Sequence, residues 1–287
     1  MKSFLSRKSL SLRLAALVLM TTQAVQAQLP SFEEGVWLSY FAHSTGKVVQ
    51  VKISKDADIT VSPVTKKGEA KPYLNFPFKF SIRQKMPNGK TRALKFDPTS
   101  LKSKSDKTDS LKSVVITGEA GKGVTFEMSV EVTRAGVKLG GRVTGAGEEK
   151  HGPLSFHYQT RLNHFRGNLI QRLKGDQKKF DEIVGKDWFE LTRWDKKKVK
   201  HHLTDLFEKG TDAELNGETG VMKVEVQAAI VDKNNRMLEF EATKGSAIWF
   251  MKNKGGPYHE RYFFSWSADQ EKDEKGEARL IFEIKEL

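Results

Sequence analysis

Alternation of apolar and polar residues between short turns is the dominant pattern along the chain. Alternate positions from Val124 to Val132 are apolar, and the positions between them carry Thr, Glu and Ser. Successive side chains of a strand point to opposite faces of a sheet, so this pattern is typical of a half-buried β-strand. A turn at Ala135-Gly136 separates this run (124–134) from a second one at 137–144, which predicts a β-hairpin.

Similar runs recur along the chain and predict about a dozen strands, joined by turns rich in Gly, Asn, Asp and Lys. The other predicted strands are 35–42, 47–53, 73–82, 91–96, 113–117, 154–163, 221–231, 237–243, 246–251, 258–267 and 278–284. So many short antiparallel strands without a linker predict an all-β protein. We expect one large antiparallel β-sandwich, or two sandwiches packed edge to edge. That layout is similar to the supersandwich architecture of galactose-mutarotase-like and polysaccharide-lyase C-terminal domains, although no motif places the chain in either family.

One part of the chain departs from the two-residue period. Residues 176–185 place apolar side chains at helical spacing, and 196–209 do so again with Val199, Leu203, Leu206 and Phe207. Gly185 and Gly210 stand where helices commonly end. We therefore predict a single domain, 28–287, with a partly helical insertion at about 166–220. Such an insertion either forms a lid over a site or covers a sheet edge. The polar stretch 102–112 predicts a mobile loop.

The first 27 residues resemble a secretory signal peptide. Four basic residues precede or flank the apolar run Leu14–Met20, and Val25 and Ala27 occupy the −3 and −1 positions of a cleavage site before Gln28. The apolar run has seven residues, whereas a membrane-spanning helix needs roughly 20. We expect cleavage, a periplasmic or secreted protein, and no membrane span in the mature chain.

Composition narrows the possible chemistry. The 287 residues include no cysteine, which excludes disulfides, thiolate metal sites and a cysteine nucleophile. No phosphate-binding loop, dinucleotide fingerprint or nucleophile elbow is present, and we expect neither a cofactor nor a metal. The pair His201-His202 is a poor metal site, because adjacent residues of a helix diverge by about 100°.

Charge is unevenly distributed. The chain has 49 Lys and Arg against 36 Asp and Glu, for a net charge of +13. Residues 47–112 carry 16 basic and 6 acidic residues, whereas 203–287 carry 12 basic and 17 acidic. Such asymmetry indicates a basic surface that meets an anionic partner. For an exported protein the expected partner is a polysaccharide or another anionic envelope polymer. No nucleic-acid-binding motif is present.

The strand predicted at 154–163 carries the strongest candidate site. Its apolar face alternates with a face formed by Ser155, His157, Gln159, Arg161 and Asn163. This second face offers an imidazole, hydrogen-bonding groups for sugar hydroxyls, and a guanidinium for a carboxylate or sulfate. The alternative is an ordinary solvent-facing strand of an antiparallel sheet.

A second candidate lies in the strand predicted at 258–267. Glu260 stands among aromatic residues, which would raise its pKa and suit it for acid–base catalysis. His259 and Arg261 flank it on the opposite face. The alternative is a core strand whose charged residues lie at its exposed start. Trp188, Trp194 and Trp249 are equally open to a packing role.

Two functional hypotheses follow. The first is an exported carbohydrate-binding or carbohydrate-processing β-sandwich, which acts on an acidic sugar with His157 and Glu260 as acid–base groups. In this hypothesis Gln159, Arg161, Asn163, His259 and Arg261 bind the substrate. The second is a non-catalytic envelope protein whose basic face binds anionic surface polymer or another protein.

Overall fold

A computed structural model describes most of the chain. The described residues are 37–43, 46–54, 56–63, 75–105, 113–149, 152–161, 173–202, 215–228, 236–252, 262–269, 271–273 and 275–286. Signal-like residues 1–27 lie outside them. Within the described part, no helix is long and apolar enough to cross a bilayer.

The described residues form 17 strands and a short helix, α1 (Gln177–Val184). The strands are β1 (Trp37–His43), β2 (Gly46–Ile53), β3 (Ile59–Pro63), β4 (Phe76–Lys85), β5 (Thr91–Ala93), β6 (Phe96–Ser105), β7 (Ser113–Ala120), β8 (Val124–Val132), β9 (Gly136–Gly145), β10 (Leu154–Arg161), β11 (Trp188–Arg193), β12 (Lys198–His202), β13 (Val221–Ala228), β14 (Arg236–Ala242), β15 (Ser246–Lys252), β16 (Tyr262–Ala268) and β17 (Leu280–Glu286).

The strands pair antiparallel in two sheets that join at a single point. The first sheet runs β1-β2-β3-β4-β10-β16-β15, with β5 beside the end of β4. The second runs β13-β14-β17-β9-β8-β7-β6, and the hairpin β11-β12 lies on the other side of β13. Val221 of β13 opposite Ile248 of β15 joins the two. The predicted all-β sandwich with a small helical insertion is confirmed.

Aromatic side chains fill the space between the two sheets. Phe78 of β4 meets Phe282 of β17 at a ring-centroid distance of 5.1 Å, and Phe240 of β14 stacks on Phe264 of β16 at 4.4 Å. Phe80 lies 5.1 Å from Phe126 of β8. Contacts of this kind contribute about 0.5–1.5 kcal/mol each beyond the burial of area.

The core also fixes which face of β10 points outward. A Cβ atom at Gly141 of β9 would lie 2.2 Å from the ring of Phe156, so only glycine allows β9 to approach β10 so closely. The buried hydroxyl of Tyr158 donates a hydrogen bond to the carbonyl of Gly140 at 3.0 Å. Because Phe156 and Tyr158 point inward, the alternate residues of β10 face outward.

A row of glutamates crosses the outer face of the second sheet. Strands β11, β13, β14 and β17 place one glutamate each at directly opposed positions, namely Glu190, Glu225, Glu239 and Glu283. Opposed like charges destabilise a sheet, and lysines from neighbouring positions offset the repulsion. The ammonium groups of Lys223 and Lys285 lie 2.7 and 2.8 Å from the carboxylate of Glu239.

The predicted insertion is only partly as expected. Helix α1 is confirmed: Asp176 caps it by accepting a hydrogen bond from the amide of Lys179 at 3.0 Å. The helix predicted at 196–209 is wrong where the structure describes it, because residues 198–202 form strand β12, paired with β11. A turn closed by Lys196, which has a φ of 68°, joins the two strands.

Three smaller expectations also change. His201 and His202 lie on a strand, so their side chains point to opposite faces and still do not converge. Residues 102–105 belong to β6 instead of a loop. The strand predicted at 91–96 ends at Ala93, and β6 begins at Phe96.

Candidate functional site

Strand β10 lies in the middle of the first sheet, between β4 and β16. His157 stands opposite Ser81 of β4 and Ser267 of β16. Gln159 stands opposite Lys79 and Ser265 in the same way. The predicted alternation is confirmed, since Phe156, Tyr158 and Thr160 are buried whereas the side chains between them face outward.

His157 is half-enclosed and uncharged at neutral pH. Its Nε2 atom lies 2.8 Å from the hydroxyl oxygen of Ser155, and its Nδ1 atom is buried without a hydrogen-bond partner among the described residues. Burial, and secondarily the positive charge of Arg83, lower the pKa of His157 to about 4. Since the cationic form is disfavoured, His157 suits hydrogen bonding better than proton transfer near pH 7.

Arg161 lies at the exposed end of β10, on the same face as His157. Its guanidinium carbon lies 4.7 Å from the ring centroid of Phe263. Cations over an aromatic face are attracted by the ring quadrupole, so the ring orients the guanidinium. The other predicted site residues, Asn163, His259, Glu260 and Arg261, lie outside the described residues, and their convergence with His157 stays a prediction.

A cleft of about 570 Å³ opens beside this outer face. We call it the tryptophan cleft and define it by its lining residues Trp194, Glu218, Lys244, Trp249, Asp269 and Lys272. Its volume lies within the range of small-molecule sites, about 300–1,000 Å³.

The cleft is linked to the polar face of β10 by neighbouring residues on adjacent strands of the first sheet. Ala247 of β15 and Ser267 of β16 line the cleft and stand opposite each other. Ser267 in turn stands opposite His157. Because neighbouring strands lie about 4.8 Å apart, His157 is one strand from the cleft wall.

Hydrogen bonds fix one wall of the cleft, the segment 215–220 that precedes β13. The buried amide of Asn216 accepts a hydrogen bond from the backbone N–H of Phe250 at 2.9 Å and donates one to its carbonyl at 2.8 Å. Arg193 Nε donates to the carbonyl of Leu215 at 3.1 Å. Gly220 has a φ of 74°, and a Cβ atom there would lie 3.2 Å from the indole of Trp249. The segment therefore passes directly beside Trp249.

The opposite wall consists of two interlocked turns. The amide of Asp269 donates a hydrogen bond to the carbonyl of Gly245 at 2.8 Å. The carboxylate of Asp269 lies 2.9 Å from the ammonium group of Lys272, and this hydrogen-bonded partner holds the pKa of Asp269 below its usual range. Asp269 is therefore ionised and paired at neutral pH.

The arrangement places two indoles in a cleft with a polar rim. Tryptophan combines a large apolar face with a polar N–H group, and sugar rings present apolar C–H faces together with hydroxyl groups. From the sequence, Trp194 and Trp249 were equally open to a role in packing, and Glu218, Lys244, Asp269 and Lys272 were not singled out. The one local signal was a tryptophan in the polar run 192–198, and in the structure Trp194 is partly buried and packs against the hydrophobic core.

Among the described residues, no group of three or more His, Asp or Glu side chains is arranged to hold a metal ion.

Comparisons with known proteins give little further information. No protein-family model and no curated protein matches the sequence. Among solved structures, the chain is similar to alpha-N-acetylgalactosaminidase NagBb from Bifidobacterium bifidum, in its GalNAc complex, with 13% identity and a TM-score of 0.48. The similarity covers 86% of this chain and 35% of that one, so this chain spans about a third of the enzyme's length. A likeness of this size carries no argument about function.

Proposed function

We propose that this is an exported carbohydrate-binding protein and that the tryptophan cleft is its binding site. The observation that carries the proposal is the presence of Trp194 and Trp249 in one cleft with a polar rim. Both residues are partly buried and both line the cleft, so a ligand in the cleft would contact them. Trp194 also packs against the hydrophobic core.

The physical argument rests on preorganisation. Binding is weakened when loops and side chains must be ordered on association. Here Asn216 anchors one wall to β15, and the interlocked turns at Gly245 and Asp269 hold the other. A sugar that enters the cleft meets surfaces already in place, and the free energy of stacking on the indoles is retained as affinity.

A second, more specific hypothesis is that the protein also catalyses a reaction on the bound sugar. It is favoured by the position of His157, one strand from the cleft wall. In that hypothesis His157 and Glu260 are the acid–base groups, and Gln159, Arg161, Asn163, His259 and Arg261 contact the sugar. Because the pKa of His157 is lowered to about 4, its imidazole is neutral at pH 7 and would act there as a base and not as an acid.

The test of binding uses the purified protein, produced from the whole sequence, and a panel of oligosaccharides measured by titration calorimetry. We expect at least one glycan to bind wild-type protein, and Trp249→Ala to weaken that binding by about thirtyfold, because a central aromatic contact contributes about 2 kcal/mol or more.

Trp188→Ala is the matched control. Trp188 lies in β11 outside the cleft lining, where its indole N–H donates to Gln227 at 2.6 Å and Lys200 lies 3.9 Å from its ring centroid. We expect glycan affinity to be retained in this variant.

Equal losses in the two variants, or binding to every polyanion that disappears at high salt, would favour the envelope-protein hypothesis instead. Release of product from a bound glycan, abolished by Glu260→Gln, would support the catalytic hypothesis.

A further inference from the structure

We infer that the ligand of the tryptophan cleft is an uncharged glycan and not an acidic one. The inference rests on the proposed function and specifies the class of sugar. It also departs from the expectation, based on the basic composition of the chain, that the partner is anionic.

The charges that line the cleft balance. Of the described residues that line it, two are acidic, Glu218 and Asp269, and two are basic, Lys244 and Lys272. Asp269 and Lys272 are already paired at 2.9 Å. The described lining of the cleft therefore has no excess of positive charge to attract a carboxylate or a sulfate.

An acidic sugar would lose more than it gains on entering this cleft. Its carboxylate would give up part of its hydration, which is costly unless a cation or several donors replace the water. It would also approach the carboxylates of Glu218 and Asp269. The positive charge of Lys272 is already balanced by Asp269 at 2.9 Å, and that of Lys244 is balanced within the lining by Glu218. A neutral sugar has no carboxylate to desolvate and is not repelled by Glu218 and Asp269, because its hydroxyl groups both donate and accept hydrogen bonds.

Two cations of the basic stretch 47–112 that the structure describes, Lys79 and Arg83, lie away from the cleft. Lys79 and Arg83 project from the outer face of β4, which is separated from β15 by two strands. Lys79 is paired with Asp58 at 3.2 Å, and Arg83 donates a hydrogen bond to Ser81 at 3.3 Å. Neither residue lines the cleft.

The experiment compares matched pairs of oligosaccharides that differ only in the oxidation of one hydroxymethyl group to a carboxylate. Titration calorimetry with the whole protein gives the dissociation constant of each partner at low and at high salt. We expect the neutral member to bind at least about tenfold more tightly, which corresponds to about 1.4 kcal/mol. We also expect its affinity to change less than about twofold with salt, because screening acts on charges.

Two variants test the electrostatic origin of the preference. Glu218→Gln removes an acidic group from the wall and should narrow the difference between neutral and acidic partners. Lys244→Gln removes a cation and should widen it. Both side chains are exposed, so neither substitution disturbs the core, and Trp188→Ala serves again as the control outside the cleft.

The outcomes distinguish failure of the neutral-ligand inference from failure of the proposed carbohydrate-binding function. Preference for the neutral member, lost in Trp249→Ala, supports both. Tighter binding of the acidic member, weakened by salt and by Trp249→Ala, leaves carbohydrate binding in place and overturns the neutral ligand. Binding of no glycan above the level of Trp249→Ala overturns the proposed function and this inference with it.

Discussion

Replacing Asn216 with alanine should destabilise the protein by several times the cost of removing an exposed asparagine. The pairing of β13 with β15 ends at Val221 opposite Ile248, and beyond that point the amide of Asn216 takes the place of a neighbouring strand beside Phe250. It makes two hydrogen bonds to the backbone of Phe250, and both residues are buried. A buried polar group that loses its partner costs about 1–3 kcal/mol. We therefore expect Asn216→Ala to lower the free energy of unfolding by about 3 kcal/mol.

Urea denaturation followed by circular dichroism measures this loss. With a slope of about 1–3 kcal/mol per molar urea, the midpoint should fall by about 1 M or more. Asn88→Ala is the matched control, because Asn88 accepts one hydrogen bond from the amide of Lys90 in an exposed turn. We expect it to cost less than about 1 kcal/mol. Similar midpoints for the two variants would refute the role assigned to Asn216.

Three further predictions concern charge and processing. Glu239→Gln should cost about 2 kcal/mol in a urea titration, because it removes the buried carboxylate that binds the ammonium groups of both Lys223 and Lys285. Glu131→Gln, from an exposed pair with Lys138 at 3.0 Å, should cost less than about 1 kcal/mol. Because the pKa of His157 is lowered from 6.5 to about 4 in the folded state, the unfolded chain binds more protons in that interval. Stability should therefore fall as the pH drops from about 6.5 to 4, by up to about 3 kcal/mol, and a His157→Gln variant that loses as much between these pH values would contradict this. Amino-terminal sequencing of the protein purified from cells that express the whole sequence should begin at Gln28, and an intact Met1 would rule out cleavage.

The alternation of residue types was enough to predict most strands and the direction of their side chains. Strands β8, β9 and β10 are half-buried, so their apolar positions repeat every second residue. The same argument placed His157 and Arg161 on the outer face. It failed at β12, which has five residues. Val199 and Leu203 stand four apart, a spacing that fits a helix and a strand equally well, so pairing with β11 decided the outcome.

The tryptophan cleft could not be predicted by the same means. Its lining comes from segments around residues 194, 218, 244–249 and 267–272, which are separated in sequence by tens of residues. They meet because β15 pairs with β16 and because β13 touches β15 at one residue pair. Strand order of this kind depends on the packing of whole sheets, and no local pattern encodes it.

The position of β17 has a consequence for how the protein is made. This strand lies between β9 and β14, so the second sheet cannot close until residues 280–286 have left the ribosome. Until then β9 and β14 expose unpaired backbone groups, which invite aggregation. We therefore expect variants that weaken β17 to leave the edges of β9 and β14 exposed for longer, and to aggregate or be degraded more readily than the wild-type protein.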